Sequence, residues 1–120
     1  EAIPRTAVRA PPSPEHRMPS SQVIVVIAYR AQPNKGPAAR AALAGSIASV
    51  LAKEPDCLGI ELLENTGDDT RFLLYETWTS QAAYVGPHLQ TPHIKAFIEA
   101  AAAIFAGPPD ISFWHELHPA

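Results

Sequence analysis

From Val23 to Tyr29 the chain reads Val-Ile-Val-Val-Ile-Ala-Tyr, β-branched and apolar at successive positions. That is the pattern of a strand covered on both faces. Gln-Pro-Asn-Lys-Gly-Pro follows as a loop, with Gly36 at a helix cap and Pro37 at the first helical position. An Ala-rich helix then carries one apolar stripe, Leu43, Ile47, Val50 and Leu51; Lys53 lies in its last turn and Pro55 ends it. A second strand is predicted over Asp56 to Asn65, where Leu58, Ile60 and Leu62 alternate with Gly59 and Glu61. Thr-Gly-Asp-Asp-Thr is turn chemistry, with Gly67 available for positive φ.

The strand predicted from Arg71 to Trp78 is again apolar on both faces. Phe72, Leu74, Glu76 and Trp78 share one face, and Arg71, Leu73, Tyr75 and Thr77 the other. Ser80 caps a short helix through Tyr84, which Gly86-Pro87 ends. Thr91-Pro92 starts a longer helix with the stripe Ile94, Phe97, Ile98, Ala101, Ile104 and Phe105, stopped by Gly107-Pro108-Pro109. A last strand runs from Ile111 to Leu117, with Trp114 and His115 expected in the core or at an interface.

The order β-α-β-β-α-β is that of the ferredoxin-like α+β fold, a four-stranded antiparallel sheet with helices on one face. That topology centres the first and third strands, the two with two-sided apolar character. The other sheet face, Leu73 and Tyr75 included, is bare in a monomer. A sheet-to-sheet homodimer with two-fold symmetry is the expectation.

Composition adds an organisational boundary. Residues 1–20 hold five of the thirteen prolines and read as an extended arm, while 21–118 read as one folded domain. The arm carries three arginines against two glutamates; the rest has ten acids against six basic residues, with no basic stripe, so a nucleic-acid surface is not expected. The longest strongly apolar run, Val23 to Ala28, is far short of a membrane span, and the first 20 residues lack the apolar segment of a signal peptide. Neither membrane association nor secretion is expected, and a cytoplasmic location is the default. The single cysteine, Cys57, reads as a small buried apolar residue.

Candidate chemistry gathers around the third strand. If helices cover its Glu76 and Trp78 face, then Trp78, Glu76, Tyr84 and His88 surround one pocket. His88 is a candidate proton acceptor, because a neutral imidazole works near pH 7. Tyr84 can donate to a phenolate or carbonyl oxygen, and Trp78 can stack on a flat ring. Glu76 is expected to pair with a helix residue, and His93, in the first turn of the long helix, to be solvated. No spacing of His, Cys and carboxylates matches a metal site. The six glycines form neither a dinucleotide-binding turn nor a P-loop, so no cofactor is expected.

Tyr75-Glu76-Thr77-Trp78-Thr79-Ser80, Pro55-Asp56-Cys57-Leu58-Gly59, and His88-Leu89-Gln90-Thr91-Pro92-His93 with Phe97 resemble the antibiotic biosynthesis monooxygenase family, over about residues 22 to 117. The resemblance implies a dimeric ferredoxin-like protein. In its cofactor-free anthrone oxygenases, Trp78 and Tyr84 match a pocket Trp and Tyr, while Leu74 stands where those enzymes have an Asn, and Ile98 near an Arg. In the haem-degrading branch the first-strand Asn falls near Tyr29 and the axial His near Ile98, so haem degradation is not implied. The implied activity is oxidation of a small aromatic, quinol-like molecule by O₂ without a cofactor. Trp78, Tyr84 and His88 are its catalytic candidates, and Leu74, Glu76, His93 and Phe97 its substrate contacts. Two alternatives stay open: a non-enzymatic dimer that binds a small ligand, and a cofactor-free isomerase of a small carbonyl compound using His88 as base.

Overall fold

The computed structural model describes residues 21–117; the proline-rich arm, 1–20, and residues 118–120 lie outside the described residues. The elements are β1 (Val23–Arg30), α1 (Gly36–Lys53), β2 (Cys57–Asn65), β3 (Asp68–Trp78), α2 (Gln81–Val85), a 3-10 turn (Pro87–Gln90), α3 (Pro92–Ala101) and β4 (Asp110–Trp114). All strand pairs are antiparallel, in the order β2-β3-β1-β4. The expected α+β ferredoxin-like fold is present, with β1 and β3 at its centre.

On the covered face Val23, Val25 and Ile27 of β1 lie opposite Trp78, Glu76 and Leu74 of β3. All six are buried, packed with Ala39, Leu43 and Val50 of α1, Ile94 of α3, and Tyr84. Leu51 and Ile98, expected on the apolar stripes, instead point outward, 48% and 58% exposed.

Each terminus has a local cause. The cap of α1 is Lys35 rather than Gly36. Gly36 has a different constraint: a Cβ there would lie 2.6 Å from the carbonyl oxygen of Asp69, where the helix start meets β3. Ser80 and Thr91 do cap α2 and α3, accepting from the backbone N–H groups of Ala83 and Ile94. α3 stops at Ala101, earlier than its apolar stripe suggests. Beyond it the Gln32 side chain donates to the carbonyls of Ala102 and Phe105, and Phe105 bridges Ala31 at the end of β1. These tertiary bonds replace another helical turn.

Two strand readings change. Cys57 faces Trp78 and Gly59 faces Thr77, so Leu58 is the extra residue of a β-bulge and is exposed, while Ile60 and Leu62 keep the covered face. β4 ends at Trp114, where its pairing with β1 stops at the Ile24 and Trp114 pair; His115 and Leu117 lie outside the strand and are exposed. Gly67 does not use positive φ; the turn is held by the Asn65 side chain accepting from its N–H. The glycine with positive φ is Gly107, between α3 and β4.

Among the described residues no helix covers the second sheet face. It exposes Leu63, Tyr75 and Trp114 at 46%, 40% and 59%, around half-buried Ile24, Val26 and Leu73. Trp114 is therefore not in the core. Among the described residues no helix is long and apolar enough to cross a membrane.

Candidate functional site

The end of β3 brings Trp78, Tyr84 and His88 into ring contact. Trp78 lies 4.6 Å from His88 and 5.5 Å from Tyr84 between ring centroids, and Tyr84 stacks on His88 at 4.9 Å. Phe113 of β4 meets the edge of this group at 5.7 Å from Tyr84. Alternation along β3 puts Glu76 and Trp78 on one face, and the short α2 with the following 3-10 turn lays Tyr84 and His88 over them.

Glu76 is buried, and its partner is not a helix residue: the Trp78 indole N–H donates to its Oε1 at 2.8 Å. Among the described residues nothing donates to its second oxygen. Burial pushes its pKa up to about 7, opposed by the indole bond and helped by the nearby Glu54 charge. Burial also raises the pKa of the Tyr29 and Tyr84 hydroxyls, and the Glu76 charge raises both further. Neither hydroxyl has a hydrogen-bond partner among the described residues. Three oxygen functions with raised proton affinity therefore lie on the covered face.

His88 is neutral by preference, since burial pushes its pKa down against the opposing pull of Glu54. Its Nδ1 lies 2.9 and 3.0 Å from the two Glu54 oxygens. His93 is not solvated as expected: its Nε2 is 2.6 Å from Glu54 Oε2 and its side chain is 13% exposed. With the carboxylate as acceptor, His88 carries its proton on Nδ1 and keeps Nε2 as the lone-pair nitrogen.

The rings of the Trp78 group fill the space between them rather than lining an open pocket. Space lies on the other side of Tyr29, in an open apolar groove of about 410 Å³ lined by Tyr29, Phe97, Ala101, Phe105 and Pro108 among others. Tyr29 packs there against Phe105 at 4.9 Å and Phe97 at 6.2 Å. Of the expected substrate contacts, Phe97 lines this groove, Leu74 is in the core, Glu76 lies beside Trp78, and His93 is tied to Glu54. Cys57 is free and buried, its thiol pushed up to about 11, chiefly by burial. Among the described residues no group of three or more His, Cys, Asp or Glu is arranged to hold a metal ion.

Two residues were missed in the sequence. Glu54 closes α1, where the helix dipole disfavours an anion; an acid at that position signals a tertiary partner. Tyr29 continues the alternation of Val23, Val25 and Ile27, which was enough to put it on the covered face.

Comparison with known proteins agrees with this fold. A Pseudomonas aeruginosa protein of known structure superposes with a TM-score of 0.74 at 24% identity, covering 85% of this chain and 99% of that one. A candidate antibiotic biosynthesis monooxygenase from Caulobacter crescentus CB15 gives 0.73 at 26% identity, covering 82% and 92%. An uncharacterized Synechocystis protein is 33% identical over 61 residues, 51% of this chain; the match spans only 41% of that protein's length. The profile of the antibiotic biosynthesis monooxygenase family matches residues 22–100, most of the described chain, and the chain belongs to that family.

Proposed function

We propose that this protein is a cofactor-independent monooxygenase that oxidises a small, flat, quinol-like aromatic with O₂. The observation that carries the reading is the buried Glu76 carboxylate with a pKa of about 7, whose charge raises the Tyr29 and Tyr84 hydroxyls, with an aromatic groove opening at Tyr29. The substrate ring lies in the groove against Phe97 and Phe105. Its ionising group is directed inward to Glu76, which takes the proton, and a tyrosine hydroxyl donates to the developing oxyanion. The substrate anion then passes one electron to O₂, and the radical pair joins as a peroxide. Loss of water leaves a carbonyl: one oxygen atom enters the ring, the other departs with the two substrate hydrogens. Trp78 holds Glu76 in place, and His88 packs behind both.

The family membership and the likeness to the Caulobacter protein support this class of activity. The bare face around Leu73, Tyr75 and Trp114 supports a homodimer formed sheet to sheet.

The test is oxygen uptake by metal-stripped protein with a panel of hydroquinones, naphthols and anthrones, corrected for spontaneous oxidation. Glu76→Gln should lower protein-dependent uptake by roughly 100-fold or more, the scale of a lost general base. Uptake unchanged in Glu76→Gln removes Glu76 from the chemistry. Anaerobic turnover of a carbonyl compound supports the isomerase reading instead, and ligand-dependent stabilisation without turnover supports a binding protein.

A further inference from the structure

The chemistry above leaves one buried polar cluster without a task. Glu54 at the end of α1, His88 in the 3-10 turn and His93 in the first turn of α3 come from separate elements, with side chains 10%, 6% and 13% exposed. One carboxylate accepts from two imidazoles, at 2.9 and 3.0 Å from His88 and 2.6 Å from His93. A single carboxylate offsets the charge of one imidazolium and not of two, so the rings compete for it. His93 is the more exposed and makes the shorter contact.

The other surfaces of the His88 ring explain why this matters. Trp78 and Tyr84 pack on it, and the Trp78 indole holds Glu76. The titratable groups around His88 are thus Glu54 from α1, His93 from α3, Tyr84 from α2, and, across the indole, Glu76 of β3. An imidazolium at His88 would stand one indole away from Glu76 and favour its charged form, removing the raised proton affinity that suits it to accept a proton near neutrality.

We propose that Glu54 and His93 are positioning residues that act through His88. The shared carboxylate holds His88 in its Nδ1–H tautomer, and His93, drawing on the same carboxylate, keeps a proton off His88, so that no cation forms beside Trp78 and Glu76. The downward influence of His93 on His88 is in keeping with this. The proposal rests on the reading of Glu76 as proton acceptor for its purpose, but not for its test.

The experiment is an NMR titration of the imidazole nitrogens in the full chain, with the five histidines assigned by substitution. In the wild type, His88 should stay neutral near pH 7, with a protonated Nδ1 and a bare Nε2. His93→Gln should raise the His88 midpoint by roughly 0.5–1 pH unit, because the competing charge is gone. Glu54→Gln should lower it and mix the two tautomers. If Glu54→Gln does not fold, the wild type and His93→Gln decide alone. A His88 that is charged near pH 7, or a His88 midpoint indifferent to His93→Gln, overturns the proposal. Where uptake is measurable, His93→Gln should also move the acid limb of its pH profile to higher pH. Absence of uptake with every substrate sinks the oxygenase reading and leaves the restraint on His88 to stand or fall by the titration.

Discussion

The two faces of the sheet are made by the same strands and reach opposite ends. On one, Val25 and Trp78 are 0% and 1% exposed beneath the helices; on the other, Tyr75 and Trp114 are 40% and 59% exposed, with none of the described helices above them. Hydrophobicity does not separate them, since both faces are rich in large apolar side chains. What separates them is where the polar groups sit: the covered face buries Glu76, with Tyr84 and His88 laid over it, and each buried polar group adds a desolvation cost. On the uncovered face Arg71 and Glu61 are exposed and keep their contact with water.

That contrast can be broken most severely at Trp78. Trp78→Ala should cost about 3–5 kcal/mol of unfolding free energy, because it opens a large cavity under the helices and frees Glu76 from its donor; denaturant titration measures it. A loss below about 1 kcal/mol would mean that the covered face is not the tight core described.

Glu76 gives the next largest effect, and its sign follows from its raised pKa. The folded protein binds the Glu76 proton more tightly than the unfolded chain, so this contribution to stability is full below 4.5 and is lost as pH rises through about 7. The loss is up to about 3 kcal/mol across that window, and Glu76→Gln should remove this slope. His88 acts in the opposite sense: with its folded pKa depressed, its contribution is full above 6.5 and is lost as pH falls. Urea unfolding at several pH values separates the two. An equal slope in Glu76→Gln would show that another group carries the titration.

On the uncovered face the expected change in fold stability is smallest. Tyr75→Lys should alter the folding of a single chain by no more than about 0.5 kcal/mol, while converting the proposed dimer to monomer in sedimentation velocity. A variant that remains as associated as the wild type would put the interface elsewhere.

Much of the fold was legible because its rules are local. Two-sided apolar strands marked the centre of the sheet, and Ser80 and Thr91 marked helix starts, since a cap needs only its own turn. The errors share a cause, which is a partner distant in sequence. The bulge at Leu58 depends on β3, the early stop of α3 depends on Gln32, and the close approach at Gly36 depends on Asp69. The site was half legible for the same reason. Glu76, Trp78, Tyr84 and His88 follow from strand alternation and a short connection, whereas the bond from His88 and His93 to Glu54 spans more than thirty residues. Period and spacing carry no record of such a contact; only the unfavourable place of Glu54 at a helix end hinted at one.

The sequence contains two tryptophans, and the fold puts one on each side of the sheet. Trp78 is sealed and bonded to a carboxylate, so its emission should be blue-shifted and sensitive to the state of its surroundings. Trp114, half uncovered and donating to the Ser112 hydroxyl, should emit at longer wavelength until something dries it. The chain thus carries a pair of native optical probes. A single emission spectrum, resolved with Trp114→Phe, reads the interior and the uncovered face as separate signals without any added label.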